Sequence, residues 1–421
     1  MAVLISFLNA TWFVGYCNLQ NQDMMIRKPR YFLMILWLLT GCSLFGGKQV
    51  LPEPENFSVE TIGTDRVLLM WDYPAGEATF FELRVFDSEN NLLREKTLPG
   101  NARDFVISNL TPGTVYLFQL SACIQGDCSE PAPIQDETTQ TLPPSRSFMD
   151  RPDEISGPQV HVIYAVPYDG LDRQLDANGT LTASIASFHN WFMQRSGLHI
   201  RFDRYNGEVD ITFHRFRLTD QELQPWSSRL VLRLQEELKT AGLIREDKIY
   251  LIYYDGSSSL ACGGASWPPR VPGQSAALYL RGAPSPSSCY SRSFVSSATD
   301  FPQYWEFAAL HDLLHVLGIV SENAPYHADD YPAHINEPVD LMHSGPQPWI
   351  LGEMTGIDVL GNNYFGPDVP GDAVHLADSP FVEKIPGHVA VYPFERLSPA
   401  DAAKLMQAFK DLPMHVPFSE Y

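Results

Sequence analysis

Residues 304–320, YWEFAALHDLLHVLGIV, contain no proline and no glycine before Gly318. The chain of 421 residues otherwise carries 33 prolines and 28 glycines, a content that breaks it into turns, short strands and extended connections and excludes an all-helical architecture. Such an uninterrupted run is therefore a helix. Residues four apart project from one helical face, so His311 and His315 present two imidazoles side by side, the arrangement that binds one Zn²⁺ at ~2.0–2.1 Å. An acid, Asp312, follows the first histidine directly, and Gly318 lies three residues past the second. The rest of the helix is too apolar to need two histidines for packing alone.

Composition bounds the remainder. With 44% hydrophobic and 19% charged residues the chain buries a core, and its length points to two or three domains. Its 29 basic and 50 acidic residues give a formal charge of −21, which repels phosphate backbones, so nucleic acid is not an expected partner.

Residues 26–42, IRKPRYFLMILWLLTGC, place a basic cluster before an apolar run from Tyr31 to Leu39 and small residues before a cysteine, the order of an export signal. The run is short for a span of ~30 Å of hydrocarbon, which argues against a permanent transmembrane helix. Leu39-Thr40-Gly41-Cys42 resembles the lipobox of bacterial lipoproteins. That resemblance implies a signal region over residues 1–41, a true start at Met24 or Met25, and Cys42 as the lipidated first residue of the mature chain. With Ser43 next, it implies a lipid anchor in the bacterial cell envelope, at the outer membrane and facing the periplasm or the surface. Leaving out Cys17 and Cys42, four cysteines remain in two sequence-local pairs, Cys123 with Cys128 and Cys262 with Cys289, and an even number in an oxidising compartment suggests two disulfides. A metal reading of Cys123 and Cys128 lacks a second ligand pair.

Residues 52–139 alternate short strands (FSVETI, RVLLMWDY, FFELRVFD, DFVISNL, VYLFQLSAC) with Gly, Pro, Asn and Asp clusters, the pattern of a seven-strand sandwich. The segment from Asn109 to Tyr116 resembles the corner between strands E and F of fibronectin type III domains, with Tyr116 as the corner tyrosine and Trp71 as the core tryptophan. Such a domain is a spacer or a module for a protein or glycan ligand. The polar, Pro-rich residues 140–157 then read as a linker.

Residues 158–421 alternate strands and helices, an α/β layer structure: a strand at Val160–Pro167, a helix at Leu181–Arg195, a strand at LHIRFD, a helix at Leu230–Ala241, and strands at Lys248–Gly256 and Ala276–Leu280. His311-Asp312-x-x-His315-x-x-Gly318 resembles the H-E-x-x-H-x-x-G helix of zincin metallopeptidases, in which the acid is the general base. In the metzincin branch the third histidine falls at position 321, which here is Ser321. The following loop offers His327 and His334, with Asp329 and Asp330 as oxygen alternatives. Val339-Asp340-Leu341-Met342-His343 resembles the metzincin Met-turn, in which the methionine lies beneath the ligands, and Ser344 stands where some metzincins carry a tyrosine. A wider likeness, from Cys262-Gly263-Gly264 to residues 376–380, links the chain to uncharacterised bacterial secreted zinc-protease-like proteins. In those proteins a histidine shortly before the Met-turn makes His334 the first choice of third ligand and His327 the second.

The chain thus reads as multidomain, an all-β fibronectin type III sandwich followed by an α/β (α+β) zincin-like metallopeptidase domain. Zn²⁺ is its cofactor, held by His311, His315 and His334. Asp312 is the catalytic base on a metal-activated water, Met342 and Gly318 support the site, and the substrate is a peptide or protein. Asp312 is one methylene shorter than glutamate, a deficit of ~1.5 Å where proton transfer wants ~2.6–3.2 Å. That motivates the alternative of a catalytically impaired surface binding or adhesion lipoprotein. Glu306 lies five residues before His311, on roughly the opposite side of the helix. Asp329, Asp330, Asp340 and Asp358 form no calcium loop and read as solvated surface. Ser287 and Ser288 lack a nucleophile elbow, and Pro399–Leu412 is expected as a packing helix.

Overall fold

The computed structural model describes residues 51–387, except 75, 125, 144–145, 267–273, 285–288, 290–293, 295–300, 331 and 346–348. Eight strands come first: β1 (Glu55–Thr61), β2 (Val67–Asp72), β3 (Phe80–Asp87), β4 (Leu92–Pro99), β5 (Asp104–Ile107), β6 (Val115–Ile124), β7 (Asp127–Cys128) and β8 (Gln135–Thr138). One sheet runs β1-β2-β5 and the other β4-β3-β6-β7, with β8 also on β6. Side chains alternate across a strand, so Val67, Leu69 and Trp71 of β2 meet Phe81, Leu83 and Val85 of β3 and Tyr116, Phe118 and Leu120 of β6 between the sheets. Trp71 sets an edge against Phe81 at 5.3 Å. The Thr111 amide donates to the Tyr116 hydroxyl at 2.9 Å, which closes the corner before β6. Cys123 and Cys128 are bonded across the β6–β7 pair.

The second part runs β9 (Gln159–Val166), α1 (Thr180–Ser196), β10 (Leu198–Ile200), a hairpin of β11 (Arg204–Tyr205) and β12 (Glu208–Val209), β13 (Ile211–Arg215), α2 (Asp220–Leu223), α3 (Leu230–Thr240), β14 (Lys248–Tyr254), β15 (Gly263–Ala265), β16 (Ser275–Tyr279), α4 (Tyr304–Val316) and β17 (Val382–Lys384). The main sheet has the order β13-β9-β14-β16-β15, parallel except for β15 at the edge. Every residue of β9 and β14 is buried, because helices cover both faces of a parallel sheet. Val160, Val162 and Tyr164 join α1 and α4 on one face, while Ile163 and Ala165 join Leu230, Leu234 and Leu238 of α3 on the other.

The stretch read as a linker is laid against this sheet rather than hung between domains. Ser147 bridges to Thr212, and Arg146, buried, pairs with Asp172 and Asp176 at 2.5 and 2.6 Å. Arg151 pairs with Asp210 at 2.6 Å, and the fully buried ammonium of Lys248 meets Asp150, Asp153 and Asp203 at 2.8, 2.7 and 2.6 Å. Polar, Pro-rich composition reports chain stiffness and solubility but carries no record of a partner, so these ion pairs left no signal in it. The sandwich is pinned as well: Arg215 donates to the carbonyls of Ile62 at 2.9 Å, Pro167 at 3.0 Å and Gly170 at 2.6 Å. Burial, with Arg66 adding to it, pulls the Arg215 guanidinium down to about 10. The described residues from 51 to 387 accordingly fall within one compact unit.

Past α4 the described chain has little regular structure and is held by buried polar side chains. Glu337 is 7% exposed, and burial pushes its carboxyl up from 4.5 to about 7. Between those values the folded chain keeps a proton that the unfolded chain has released, so stability falls as pH rises through the window. Glu337→Gln should remove this dependence and improve by about 3 kcal/mol relative to the native chain between pH 4 and pH 8, as read from denaturant unfolding at both values. An equal difference at the two pH values counts against it. Lys248→Met leaves three carboxylates facing one another and should cost roughly 3–5 kcal/mol in the same measurement at pH 7; a loss below about 1 kcal/mol would show the cluster to be solvated.

Candidate metal centre

The helix α4 starts with reciprocal capping, in which the Gln303 amide donates to Glu306 at 3.1 Å and the Gln303 side chain accepts from the backbone at Glu306. Glu306 also accepts from Ser184 of α1 at 3.0 Å and is fully buried, so it ties two helices together, away from the histidines. The helix ends in a Schellman motif: the Gly318 amide donates to the His315 carbonyl at 2.9 Å and the Ile319 amide to the Leu314 carbonyl at 3.2 Å. Gly318 has φ 84, a left-handed conformation that glycine adopts without steric cost. That reversal starts the loop that returns His334 to the helix.

The Nε2 atoms of His311, His315 and His334 lie 3.0, 3.1 and 3.2 Å from one another. The Nδ1 of His311 is 2.6 Å from the Leu341 carbonyl, and that of His334 is 2.9 Å from the Pro332 carbonyl. A carbonyl can only accept, so each Nδ1 carries the proton and each Nε2 of this pair presents a lone pair. Two lone pairs 3.2 Å apart repel unless a cation lies between them. Three nitrogens ~3.1 Å apart converge as closely as imidazoles that would share one zinc ion at ~2.0–2.1 Å require. The three residues fit a zinc site, and backbone carbonyls orient two of them, His311 and His334, as such ligands require.

His327 stands apart, its Nε2 accepting from the Ala333 amide at 3.0 Å. Ala333 has φ 64 and precedes His334, so His327 steadies the turn that presents that ring. Ser321 accepts from the Val374 amide at 3.2 Å, tying the loop to the later chain. Behind His311, Asp340 accepts from the Met342 amide, the Val359 amide and the Tyr364 hydroxyl, each at 2.8 Å. The indole of Trp349 donates to the Asp340 carbonyl at 2.9 Å and lies 5.4 Å from the His311 ring. Asp358 accepts from the amides of Asn363, Tyr364 and Phe365 at 2.8, 2.8 and 2.7 Å. Burial first, then the charge of Asp358, holds the Asp340 carboxyl well above the ordinary carboxylate range. The reading of Asp340 and Asp358 as solvated surface is corrected: both are fully buried, because the loop folds over them and supplies amide donors, while Asp329 and Asp330 are exposed. Met342 is fully buried beside this network and Ser344 is buried too. Nothing in the residue pattern before Tyr364 signalled its place behind the site.

Asp312 is fully buried, and its carboxylate lies against Gly263 of β15. Cys262, the residue before, is bonded to Cys289. A second group with ligand chemistry, Asp150, His161, Asp203 and Asp210, is already served by a cation, because Lys248 occupies it. Cys42, Met24, Met25, residues 1–41, Ser287, Ser288 and Pro399–Leu412 lie outside the described residues.

The family model for the fibronectin type III domain matches residues 52–135. Among solved structures, the FN1-FN3 domains of chicken CNTN1 are similar at 16% identity, over 22% of this chain and 33% of that one, with a TM-score of 0.21. The fn3 domain of human contactin 1 is similar at 16% identity over 26% of this chain and 95% of that one, with a TM-score of 0.22. The FN5 domain of Drosophila Lar gives 14% identity, 22% and 100% coverage, and a TM-score of 0.20. A search of curated proteins finds no match. The amino-terminal sandwich of this multidomain chain is a fibronectin type III domain.

Proposed function

We propose that the α/β domain is a zincin-like, zinc-dependent metallopeptidase domain that hydrolyses peptide bonds. The observation that carries this reading is the convergence of the His311, His315 and His334 Nε2 atoms within 3.2 Å, with two of the rings fixed as lone-pair donors by backbone carbonyls. A zinc ion there supplies a Lewis acid for the peptide carbonyl and a water acidified to a pKa of ~7. Asp312, adjoining His311 and buried against Gly263 of β15, would be the general base that takes a proton from the attacking water and returns it to the leaving amine. Leu341 and Pro332 hold the imidazoles in their tautomers through the turn. The shorter reach of Asp312 favours a second reading, in which the same centre keeps its metal without turnover and the protein acts as a surface binding module. In both, the chain is exported and lipid-anchored at Cys42, and the fibronectin type III domain is a spacer or a module for a protein or glycan ligand.

Metal analysis and a peptidase assay on the chain lacking residues 1–42 test this. One zinc per chain is expected, lost in His311→Ala and His334→Ala and kept in His327→Ala and Asp312→Ala. Asp312→Ala should lower kcat/KM by about 10²–10⁴, the usual share of general acid–base catalysis. Zinc that survives His334→Ala but not His327→Ala would overturn the ligand set, and turnover seen only in Asp312→Glu would establish the second reading. In the full chain, Cys42→Ser should move the protein from the membrane fraction to the soluble one; continued membrane association would remove the lipid anchor from the proposal.

A further inference from the structure

Gly263 is a glycine for which the backbone gives no reason. It lies in the edge strand β15, paired with Leu278, and its φ is outside the left-handed region that favours glycine. Space supplies the reason. A Cβ on residue 263 would lie 2.1 Å from Asp312 Oδ2, 3.1 Å from Asp312 Cγ and 2.9 Å from the Ala277 carbonyl oxygen. Contacts under 3.0 Å are not tolerated by real Cβ atoms, and neither neighbour gives way easily. The Ala277 carbonyl belongs to β16 inside the sheet, and Asp312 is fully buried on α4. The strand cannot back away either, because the Tyr279 amide donates to the Cys262 carbonyl at 2.9 Å and Cys262 is bonded to Cys289.

We propose that Gly263 is the positioning residue for Asp312: the missing side chain is the space that the carboxylate occupies, one residue along α4 from His311. The inference rests on the metallopeptidase reading for its function and on the packing alone for its geometry. Relief of a 2.1 Å contact moves the carboxylate by ~1 Å, which exceeds the ~0.6 Å window over which a general base works. An aspartate base, already one methylene short, has no reach in reserve. Any side chain at 263 is therefore expected to disable Asp312 while leaving the imidazoles in place.

The test uses native chain, Gly263→Ala, Asp312→Ala and the double variant. Metal-free thermal unfolding reads the packing, and the visible absorption of Co²⁺-loaded protein at a single pH reads the surroundings of the metal. Gly263→Ala should lower Tm by at least ~5 °C, and the same change made in Asp312→Ala should cost less than half of that, the Ala277 carbonyl accounting for the residue. With Co²⁺ stoichiometry unchanged, the Gly263→Ala spectrum should match that of Asp312→Ala rather than the native one. An equal Tm loss in both backgrounds, or a native spectrum in Gly263→Ala, overturns the inference. Should Gly263→Ala fail to fold, a folded double variant supports the shared space and an unfolded one refutes it. A native chain that takes up no Co²⁺ defeats the metallopeptidase reading instead, and the Tm cycle still decides the packing.

Discussion

The Leu341 carbonyl, 2.6 Å from His311 Nδ1, is the contact on which the rest of the site depends. It selects the tautomer that turns the His311 lone pair toward His315 and His334, and it sits on a turn whose position is set from behind. Asp340 gathers the Met342 and Val359 amides and the Tyr364 hydroxyl, and Tyr364 in turn accepts from the Asp358 amide. A loop without regular structure is rigid here because two buried carboxylates replace the backbone ladder that a sheet would have supplied. A buried carboxylate stripped of its donors costs several kcal/mol, so the loop has one low-energy arrangement.

The same logic runs through the molecule. The sheet supplies shape through apolar packing, with both faces of β9 and β14 covered. Charged groups then decide which irregular segments lie against it. Arg146, Lys248 and Arg215 fix the amino-terminal side, and Asp340 and Asp358 fix the carboxy-terminal side. Hydrophobic burial is non-directional, whereas these contacts have geometry, and that division of labour explains why so much of the second domain is ordered without helix or strand.

How legible each part was in the sequence follows from the range of the interaction involved. The sandwich was legible because period-two burial and the turn before Tyr116 are local patterns, and the same holds for the paired histidines of α4, four residues apart. The return of His334 depends on the path of a loop after Gly318, so residue types alone left His327 beside it as a choice. Asp340 and Asp358 were misread because aspartates are usually solvated, and their burial depends on amides that come together only in the folded loop. Gly263 could not be explained from sequence at all, since what it accommodates is 49 residues away on another element.

The docked connection between the two parts has a consequence for how the molecule can vary. In most multidomain chains the segment between domains tolerates insertions, because a few more flexible residues change only the local concentration of one domain near the other. Here an insertion between residues 146 and 153 would shift Asp150 and Asp153 out of register with Lys248 and leave buried charge behind. Reach and orientation are therefore not tunable by loop length in this protein. A change in either requires rebuilding the charge pairs along the sheet, so the spacing of the two domains is inherited together with the core.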